Sequence, residues 1–252
     1  MSSEARQLLI GIHPVSSALQ ASPQSVTGLW IAAECRNSRV AELEKTARAA
    51  AVTVERHPRH DLDRACDQQR HQDVIAWFRP DNIHGEADVP ALLEAVEGPP
   101  LVLVLDGIQD PHNLGACLRS ADAAGVNFVV LPRDRASGIT PVVRRAAAGA
   151  AETLGLVMVP NLARVLRQLK DAGIWLVGTS DRGDESLYRM DLNGPLALVM
   201  GAEGKGLRRL TASHCDHLVS IPMSGSVDSL NVSVATAVCL FEAVRQRDTG
   251  RP

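Results

Sequence analysis

Apolar residues follow two spacings along this chain. Short continuous apolar runs are typical of strands buried on both faces, whereas apolar residues that recur every three or four positions are typical of amphipathic helices. From residue 100 onward the two patterns alternate regularly. The apolar runs that we interpret as strands occupy residues 101–105, 127–131, 156–159, 174–178, 196–200 and 217–221. This alternation predicts an α/β domain with a mainly parallel sheet.

Helix-start and helix-end signals lie between these runs. The pattern predicts a helix from about residue 113 to 124, which Asp110 or Asn113 would cap and Gly125 would close. Further helices are predicted to be opened by Thr140-Pro141, to run between Asn161 and Gly173, to lie near residues 207–213, and to extend from about residue 229 to 247 with Ser229 as its cap.

Residues 7–78 form an α/β block of their own. The predicted helices cover residues 15–19 and 39–50, and the predicted strands cover residues 28–32, 52–54 and 74–78. An acidic stretch with four prolines follows, and we interpret it as a linker with a short helix near residues 90–96. The predicted organisation is therefore a first domain at 1–79, an acidic linker at 80–98 and a second domain at 99–252.

Composition is that of a soluble globular protein, with 45% hydrophobic and 22% charged residues among 252. No apolar run approaches the roughly 20 residues that span a bilayer, so no membrane partner is expected. The start of the chain has no basic region followed by an apolar core, and we therefore expect no signal peptide. The five cysteines are scattered without a CxxC spacing, which suggests reduced thiols and a cytoplasmic location.

The net charge of −3 does not exclude a nucleic-acid partner, because it is concentrated in one segment. The five charged residues between 81 and 98 are all acidic, whereas each flanking block has one more basic than acidic residue. Basic groups that are able to contact phosphate remain at Arg133, Arg135, Arg144 and Arg145, and at Lys205, Arg208 and Arg209.

Three turns at the carboxyl ends of predicted strands are the places to search for a ligand site. The first, after residue 105, leads into a helix that carries Asn113 and Arg119; the second is the glycine-rich GAEGKG after residue 200. The third is IPMSGSVDSLNVS at residues 221–233. Each also has an ordinary structural interpretation, namely a solvated helix arginine, a tight turn before a helix, and a capped strand-to-helix turn.

Two kinds of chemistry are disfavoured. His214, Cys215, Asp216 and His217 are adjacent residues that cannot all point at one ion from a regular element, so we expect no metal site there. The glycine spacing of GAEGKG matches neither a dinucleotide fingerprint nor a phosphate-binding loop, and no G-x-S-x-G hydrolase elbow is present.

Taken together, the three turns resemble the signature motifs of the SpoU/TrmH family. The matching segments are NLGACLRSADAAG (113–125), LALVMGAEGKGL (196–207) and IPMSGSVDSLNVSVA (221–235). Members are S-adenosylmethionine-dependent RNA ribose 2′-O-methyltransferases of the SPOUT superfamily. Residues 7–78 resemble the L30e/L7Ae-like substrate-binding domain that precedes the catalytic domain in one branch. Within this block, Asp73 stands where the family usually has glycine; if the site needs a positive φ, aspartate tolerates it better than most residues.

The resemblance implies a fold and partners that no residue pattern establishes. We expect a C-terminal SPOUT domain with a parallel sheet and a trefoil knot, preceded by the small L30e-like α/β domain. The implied reaction is methylation of a guanosine ribose in 23S rRNA, without a metal, by a homodimer whose RNA sites borrow from both subunits. An apolar face on the last helix (Val234, Val238, Phe241, Val244) agrees with a dimer. Two other hypotheses are the same chemistry on tRNA, and a non-catalytic RNA-binding protein associated with the ribosome.

The resemblance also implies the site residues. The positions carried over for S-adenosylmethionine are Gly201, Ile221 and Leu230, with Thr179, Gly204 and Met223 nearby. The positions carried over for catalysis are Arg119, Asn113, Glu203, Ser229 and Asn231. Because an arginine stays charged in almost every protein setting, we expect Arg119 to grip the target phosphate and polarise the hydroxyl.

Overall fold

The chain divides into two compact units, Met1–Asp81 and Asn82–Pro252. They are seen in a computed structural model that describes residues 7–78, 82–134, 136–181, 183, 185–204 and 206–249. Several residues discussed above lie outside these ranges, namely Pro80 and Asp81 of the predicted linker and the basic residues Arg135 and Lys205. Within the described ranges, no helix combines the length and hydropathy needed to cross a bilayer.

The first unit is a four-stranded mixed sheet with helices on both faces. Its elements are β1 (Gln7–Ile10), α1 (Ile12–Ala21), β2 (Val26–Ala32), α2 (Ser38–Ala49), β3 (Val54–His57), α3 (Arg59–Ala65) and β4 (Val74–Phe78). The strand order is β1-β4-β2-β3, and only β2 and β3 are parallel. The pattern did not predict β1 or α3, because β1 is only four residues long and α3 buries only Leu62 among its seven residues. Asp73 has a φ of 65°, so the site does need the left-handed region.

The second unit is an eight-stranded sheet in which all strand pairs among the described residues are parallel. Its strands are β5 (Ile83–His84), β6 (Leu101–Asp106), β7 (Phe128–Pro132), β8 (Gly155–Val159), β9 (Trp175–Thr179), β10 (Glu185–Ser186), β11 (Leu196–Gly201) and β12 (His217–Ser220). Its helices are α4 (Val89–Glu94), α5 (Pro111–Ala123), α6 (Pro141–Ala147), α7 (Ala150–Thr153), α8 (Leu162–Asp171), α9 (Arg209–His214) and α10 (Val232–Thr249). The prediction of a parallel α/β domain is confirmed.

Strand order brings the three candidate turns together. The sheet runs β10-β12-β9-β11-β6-β7-β8-β5, so β12, β9, β11 and β6 are consecutive neighbours. Because parallel strands end at the same edge of a sheet, the turns after β6, β11 and β12 lie side by side. All six residues of both β6 and β11 are buried, which fixes the positions at which these turns begin.

The predicted linker is largely part of the second unit. Strand β5 pairs in parallel with β8, and the Asn82 side chain donates to the carbonyl oxygens of Ala151 and Leu154 at 2.7 and 2.8 Å. Helix α4 buries Val89 to 1% exposure against the sheet. The acidic side chains of the predicted linker suggested that it is exposed to solvent. Burial of the few apolar residues between them is enough to hold the segment against the second unit.

Two helix starts differ from the prediction. Helix α5 begins at Pro111, because Asp110 rather than Asn113 caps it by accepting from the His112 N–H at 2.8 Å. Helix α10 begins at Val232, because Asn231 rather than Ser229 accepts from the Ser233 N–H at 3.0 Å. In both cases the cap lies next to the first residue whose backbone is helical, and the freed residue faces the candidate site.

The end of α10 is fastened to two loops by side chains that we call the C-terminal clasp, Glu242, Gln246 and Arg247. The Arg247 guanidinium donates to the carbonyl oxygens of Pro99 (3.0 Å), Pro100 (3.0 Å), Leu192 (3.3 Å) and Gly194 (2.7 Å). The Gln246 amide bridges to Met190 and Leu192 and also donates to Glu242 at 2.8 Å. The last helix is thereby tied to the start of β6.

Candidate active site

The turn after β11 is a tight loop in which several positions require glycine. Ala202 and Gly206 exchange two backbone hydrogen bonds of 3.1 and 2.8 Å, which close the loop around Glu203. Gly204 and Gly206 have φ values of 71° and 62°, and an added Cβ at Gly201 would overlap the backbone of Gly206 and Leu207. The glycines therefore fold the loop back on itself and hold Glu203 at its exposed tip.

One residue from each of the three turns joins a single hydrogen-bonded chain. The Asn231 amide donates to Asn113 Oδ1 at 3.0 Å, and the Asn113 amide donates to Glu203 Oε2 at 3.1 Å. Asn231 is itself fixed, since its Oδ1 accepts from both the N–H and the hydroxyl of Ser233. The two hydrogen-bonded pairs are 90 and 118 positions apart in sequence, so only the fold assembles them. The structure thus brings together Asn113, Glu203 and Asn231 of the predicted catalytic set.

A cavity of about 520 Å³, which we call the larger cavity, lies between the loop after β11 and the segment after β12. It is lined by all six residues predicted to bind the cofactor, Thr179, Gly201, Gly204, Ile221, Met223 and Leu230. Ser229, which was predicted to act in catalysis, and Glu203 also line it. One wall is apolar, with Val219 at 0% and Val232 at 6% exposure, and three carboxylates (Asp181, Glu203, Asp228) lie around it.

A second cavity of about 370 Å³, the smaller cavity, adjoins the first. The two share Ala202, Glu203, Gly206 and Val232 as common wall residues. Residues after β6 form much of the rest of the smaller cavity, and Asn113 lines it as well. Molecules held in the two cavities would therefore both lie beside Glu203.

An ion pair that sequence reasoning missed supports the smaller cavity. The Asp106 carboxylate, 1% exposed, accepts from the Arg208 backbone N–H at 3.0 Å and from Nε at 2.5 Å, and Arg208 Nη2 contacts the same carboxylate. The pair ties the end of β6 to the loop after β11. Asp106 directly follows a fully apolar run, and a carboxylate there was a signal that we did not use.

Arg119 lies apart from this assembly. It is exposed, lines neither cavity, and has no hydrogen-bond or ion-pair partner among the described residues. It follows Asn113 by six helical positions, which places it about 240° further round the axis of α5. Within one chain the helix therefore presents Asn113 and Arg119 on different sides.

The histidine- and cysteine-containing segment at 214–217 has a structural role in this unit. Asp216 accepts from Lys170 Nζ at 2.6 Å and from the Leu176 N–H at 2.9 Å, and these partners hold the pKa of its carboxyl below its usual range although burial opposes the shift. Burial raises the pKa of the Cys215 thiol to about 12 and that of Cys117 to about 11. Across the described ranges, no group of three or more His, Cys, Asp and Glu side chains is arranged to hold a metal ion.

In a parallel α/β sheet ligands bind at the carboxyl ends of the strands, and the two adjoining cavities and the asparagine–glutamate chain lie there. Residues 100–241 match the family model described as the SpoU rRNA Methylase family, and residues 8–83 match the one described as RNA 2′-O ribose methyltransferase substrate binding. The chain therefore belongs to the SpoU rRNA methylase family.

Individual relatives agree with this assignment. The chain is 51% identical over 243 residues to the 23S rRNA (guanosine-2′-O-)-methyltransferase RlmB of Pseudomonas putida, covering 96% of this chain and 98% of that protein. The crystal structure of the SpoU methyltransferase AviRb from Streptomyces viridochromogenes, in complex with the cofactor AdoMet, has a TM-score of 0.71 and 29% identity, covering 97% of this chain and 92% of that one. An A. aeolicus TrmH/SpoU tRNA-modifying enzyme has a TM-score of 0.56 and 29% identity, covering 65% of this chain and 84% of that one.

Proposed function

We propose that this protein is an S-adenosylmethionine-dependent methyltransferase that acts on the ribose 2′-hydroxyl of a guanosine in 23S rRNA. The observation that carries the proposal is the Asn231–Asn113–Glu203 chain, which lies where the two cavities meet. The function of the 51% identical relative from Pseudomonas putida supports the substrate. The tRNA-modifying relative, by contrast, has a counterpart for only 65% of this chain.

The larger cavity fits the cofactor. Its apolar wall suits the adenine ring, the exposed backbone of the 201–206 loop offers hydrogen-bonding groups, and its carboxylates suit a ligand with positive charge. Gly201, Ile221 and Leu230 would hold the cofactor, and Thr179, Gly204 and Met223 would complete the cavity. When bound, S-adenosylmethionine supplies a methyl group already activated by its sulfonium.

The rest of the catalysis would be carried out by side chains of this protein. A ribose hydroxyl is a poor nucleophile at neutral pH, so the site must align it and help its proton to leave. Asn113 and Asn231 hold Glu203 in one orientation, and Ser229 shapes the cavity beside it. Arg119, being charged and unpaired among the described residues, would grip the RNA phosphate and polarise the hydroxyl.

The finer fold assignments belong to the same proposal. We infer an L30e/L7Ae-like fold for the first unit, supported by its mixed α/β sheet and by the substrate-binding family match. We also infer a trefoil knot in the second unit. The C-terminal clasp, which fastens α10 to residues 99–100 and 192–194, supports a path in which the last segment closes over an earlier loop. Knots are rare enough that this inference depends on the family.

The proposed partner in assembly is a second copy of the chain. Val234 and Phe241 are 49% and 48% exposed on one side of α10, an apolar surface that a second copy would cover. Arg119 is exposed and unpartnered among the described residues, and a dimer would let it serve the site of the other copy.

Methyl transfer to defined RNAs tests the proposed function. Purified full-length protein with tritiated S-adenosylmethionine should label 23S rRNA, and the label should be recovered as a 2′-O-methylguanosine that resists alkaline cleavage. Labelling of tRNA but not of 23S rRNA would show that tRNA is the substrate, and labelling of no RNA would favour a non-catalytic RNA-binding protein. Mapping of 2′-O-methylation in rRNA from a strain that lacks the gene would then identify the nucleotide.

A further inference from the structure

The smaller cavity has no part in the cofactor assignment, yet its position beside the larger one is informative. The two cavities share a wall that includes Glu203, at the end of the asparagine–glutamate chain. Its volume of about 370 Å³ falls in the usual range of small-ligand sites, roughly 300–1,000 Å³. A ligand in the smaller cavity would lie beside Glu203, next to the larger cavity.

One side of this cavity offers hydrogen-bond acceptors. Asp110 is exposed, and its Oδ1 caps α5 by accepting from the His112 N–H. No described residue donates to its Oδ2, which is left for a ligand. Gln109 next to it is also exposed and has no hydrogen-bond partner among the described residues.

The other side offers a fixed hydrogen-bond donor. Arg208 is held through its backbone N–H, Nε and Nη2 by the buried Asp106 carboxylate. Its side chain remains 45% exposed, and no described residue accepts from its Nη1. Because the carboxylate is buried and immobile, the guanidinium is presented to the cavity in one orientation. Ile108 and Val232, 3% and 6% exposed, give the cavity an apolar floor.

We propose that the smaller cavity binds the base of the target guanosine, which leaves the RNA stack to enter it. Guanine has donors at N1 and N2 that suit the Asp110 carboxylate, and acceptors at O6 and N7 that suit Arg208. Adenine carries a donor in place of O6 and would face the guanidinium unfavourably. Enzymes that act on a stacked nucleotide commonly extrude it into such a pocket. The assignment rests on the proposed function and extends it, since it places the ribose at the shared wall beside Glu203.

Base-substituted substrates test the pocket. The substrate is a 23S rRNA fragment that contains the unmethylated target guanosine. It is compared with the same fragment carrying inosine, which lacks the N2 amino group, or adenosine at the target position. In single-turnover transfer, wild-type protein should prefer guanosine to inosine by roughly 10-fold and should discriminate more strongly against adenosine.

The diagnostic variant is Asp110→Ser, because serine also caps helices but is too short to reach the base. Its guanosine rate should fall roughly 10-fold or more and its preference over inosine should disappear, with cofactor affinity unchanged. Asn161→Ser, which also puts serine at a helix cap, that of α8, is the control for loss of a cap side chain and should keep the wild-type preference. If Asp110→Ser does not fold, Gln109→Ala, on the same acceptor side of the cavity, takes its place and should likewise reduce the preference for guanosine over inosine.

The outcomes separate the pocket from the reaction. Efficient methylation of all three fragments by wild-type protein would overturn the pocket assignment and leave the proposed function intact. So would a folded Asp110→Ser variant that keeps the full preference for guanosine. Absence of transfer to any RNA by wild-type protein would remove the proposed function and the pocket with it.

Discussion

Asn113 uses both ends of its amide, and this sets the geometry around it. It accepts from Asn231 and donates to Glu203, so the orientation of the amide is determined by its two partners. Arg119 on the same helix has no such partner among the described residues. Helix α5 therefore carries one residue, Asn113, that its neighbours hold in place and another, Arg119, that is free to contact a ligand.

Replacement of Arg119 by alanine separates chemistry from binding. The variant should lose on the order of 3–4 kcal/mol of transition-state stabilisation, or roughly 10²–10³-fold in single-turnover rate, as other single preorganised charges do. Cofactor affinity measured by calorimetry should stay at the wild-type value, since Arg119 does not line the larger cavity. Arg167→Ala, at an exposed arginine on α8, is the matched control. A near wild-type rate for Arg119→Ala would mean that Arg119 is only a solvated helix residue.

The residues of the candidate site differed in how far the sequence predicted them. Asn113, Glu203 and Asn231 were identified through the motif resemblance, although their mutual hydrogen bonds depend on strand order. Arg208 was predicted only as a basic group able to contact phosphate, and its pairing with Asp106 was missed, because the two are 102 positions apart and nothing local in the sequence pairs them. The cap of α10 was misplaced by two residues, since both Ser229 and Asn231 are good cap residues and only backbone conformation selects between them.

At the scale of elements, buried apolar runs were the most reliable signal. Strands β6 and β11 were predicted to within one residue, because their runs are continuous and lie between turn residues. The sequence pattern placed strand β5 in a linker, and it predicted helix α4 with ends that differ by one or two residues from those in the structure. Both elements are short and lie within an acidic stretch. Strand β5 is held by its pairing with β8, and α4 by the burial of Val89 in the core of the second unit, and both sets of partners are distant in sequence.

The segment 82–98 leads to a prediction about truncation. A protein comprising residues 82–252 should fold and bind S-adenosylmethionine with wild-type affinity, yet methylate rRNA poorly because it lacks the first unit. A protein that starts at residue 99 should be less stable by roughly 3–5 kcal/mol, since it loses the burial of Val89 and the hydrogen bonds of Asn82. Urea unfolding and calorimetry compare the two. Equal stability of both proteins would show that the segment is a linker after all, and loss of cofactor affinity in the longer one would contradict the division of labour.

The C-terminal clasp should respond to acid. The hydrogen bond from Arg245, aided by Gln246, lowers the pKa of Glu242 to about 2 although burial opposes the shift. A depressed pKa stabilises the fold above the ordinary value near 4.5, and this contribution is lost as the pH falls toward 2. Glu242→Gln should therefore remove about 2 kcal/mol of the acid-induced loss in unfolding free energy over that range. Glu94→Gln, at an exposed glutamate on α4, is the control, and an identical pH profile for all three proteins would refute the role of the clasp.

At the scale of the whole molecule, the proposed dimer makes Arg119 of one copy available to the other. Light scattering should give about twice the chain mass of 26.9 kDa, and a clean monomer at micromolar concentration would contradict the proposal. Arg119→Ala and Glu203→Gln proteins, each nearly inactive alone, should recover activity when unfolded and refolded together. If Arg119 acts on the opposite subunit, about a quarter of the sites become complete in a random mixture. No recovery would place Arg119 in the site of its own chain.

The walls of the larger cavity are synthesised in sequence, and their order limits when a ligand can bind. Its walls come from residues 179–181, from the loop after β11, and lastly from residues 219–235. At roughly 5–20 residues per second, a ribosome needs several seconds to pass from the first of these stretches to the last. During that time the nascent chain can pair β6, β7 and β8 but has no complete place for a ligand. Cellular S-adenosylmethionine therefore stabilises the protein only after the sheet has formed, so the cofactor favours the finished fold and does not guide its early steps.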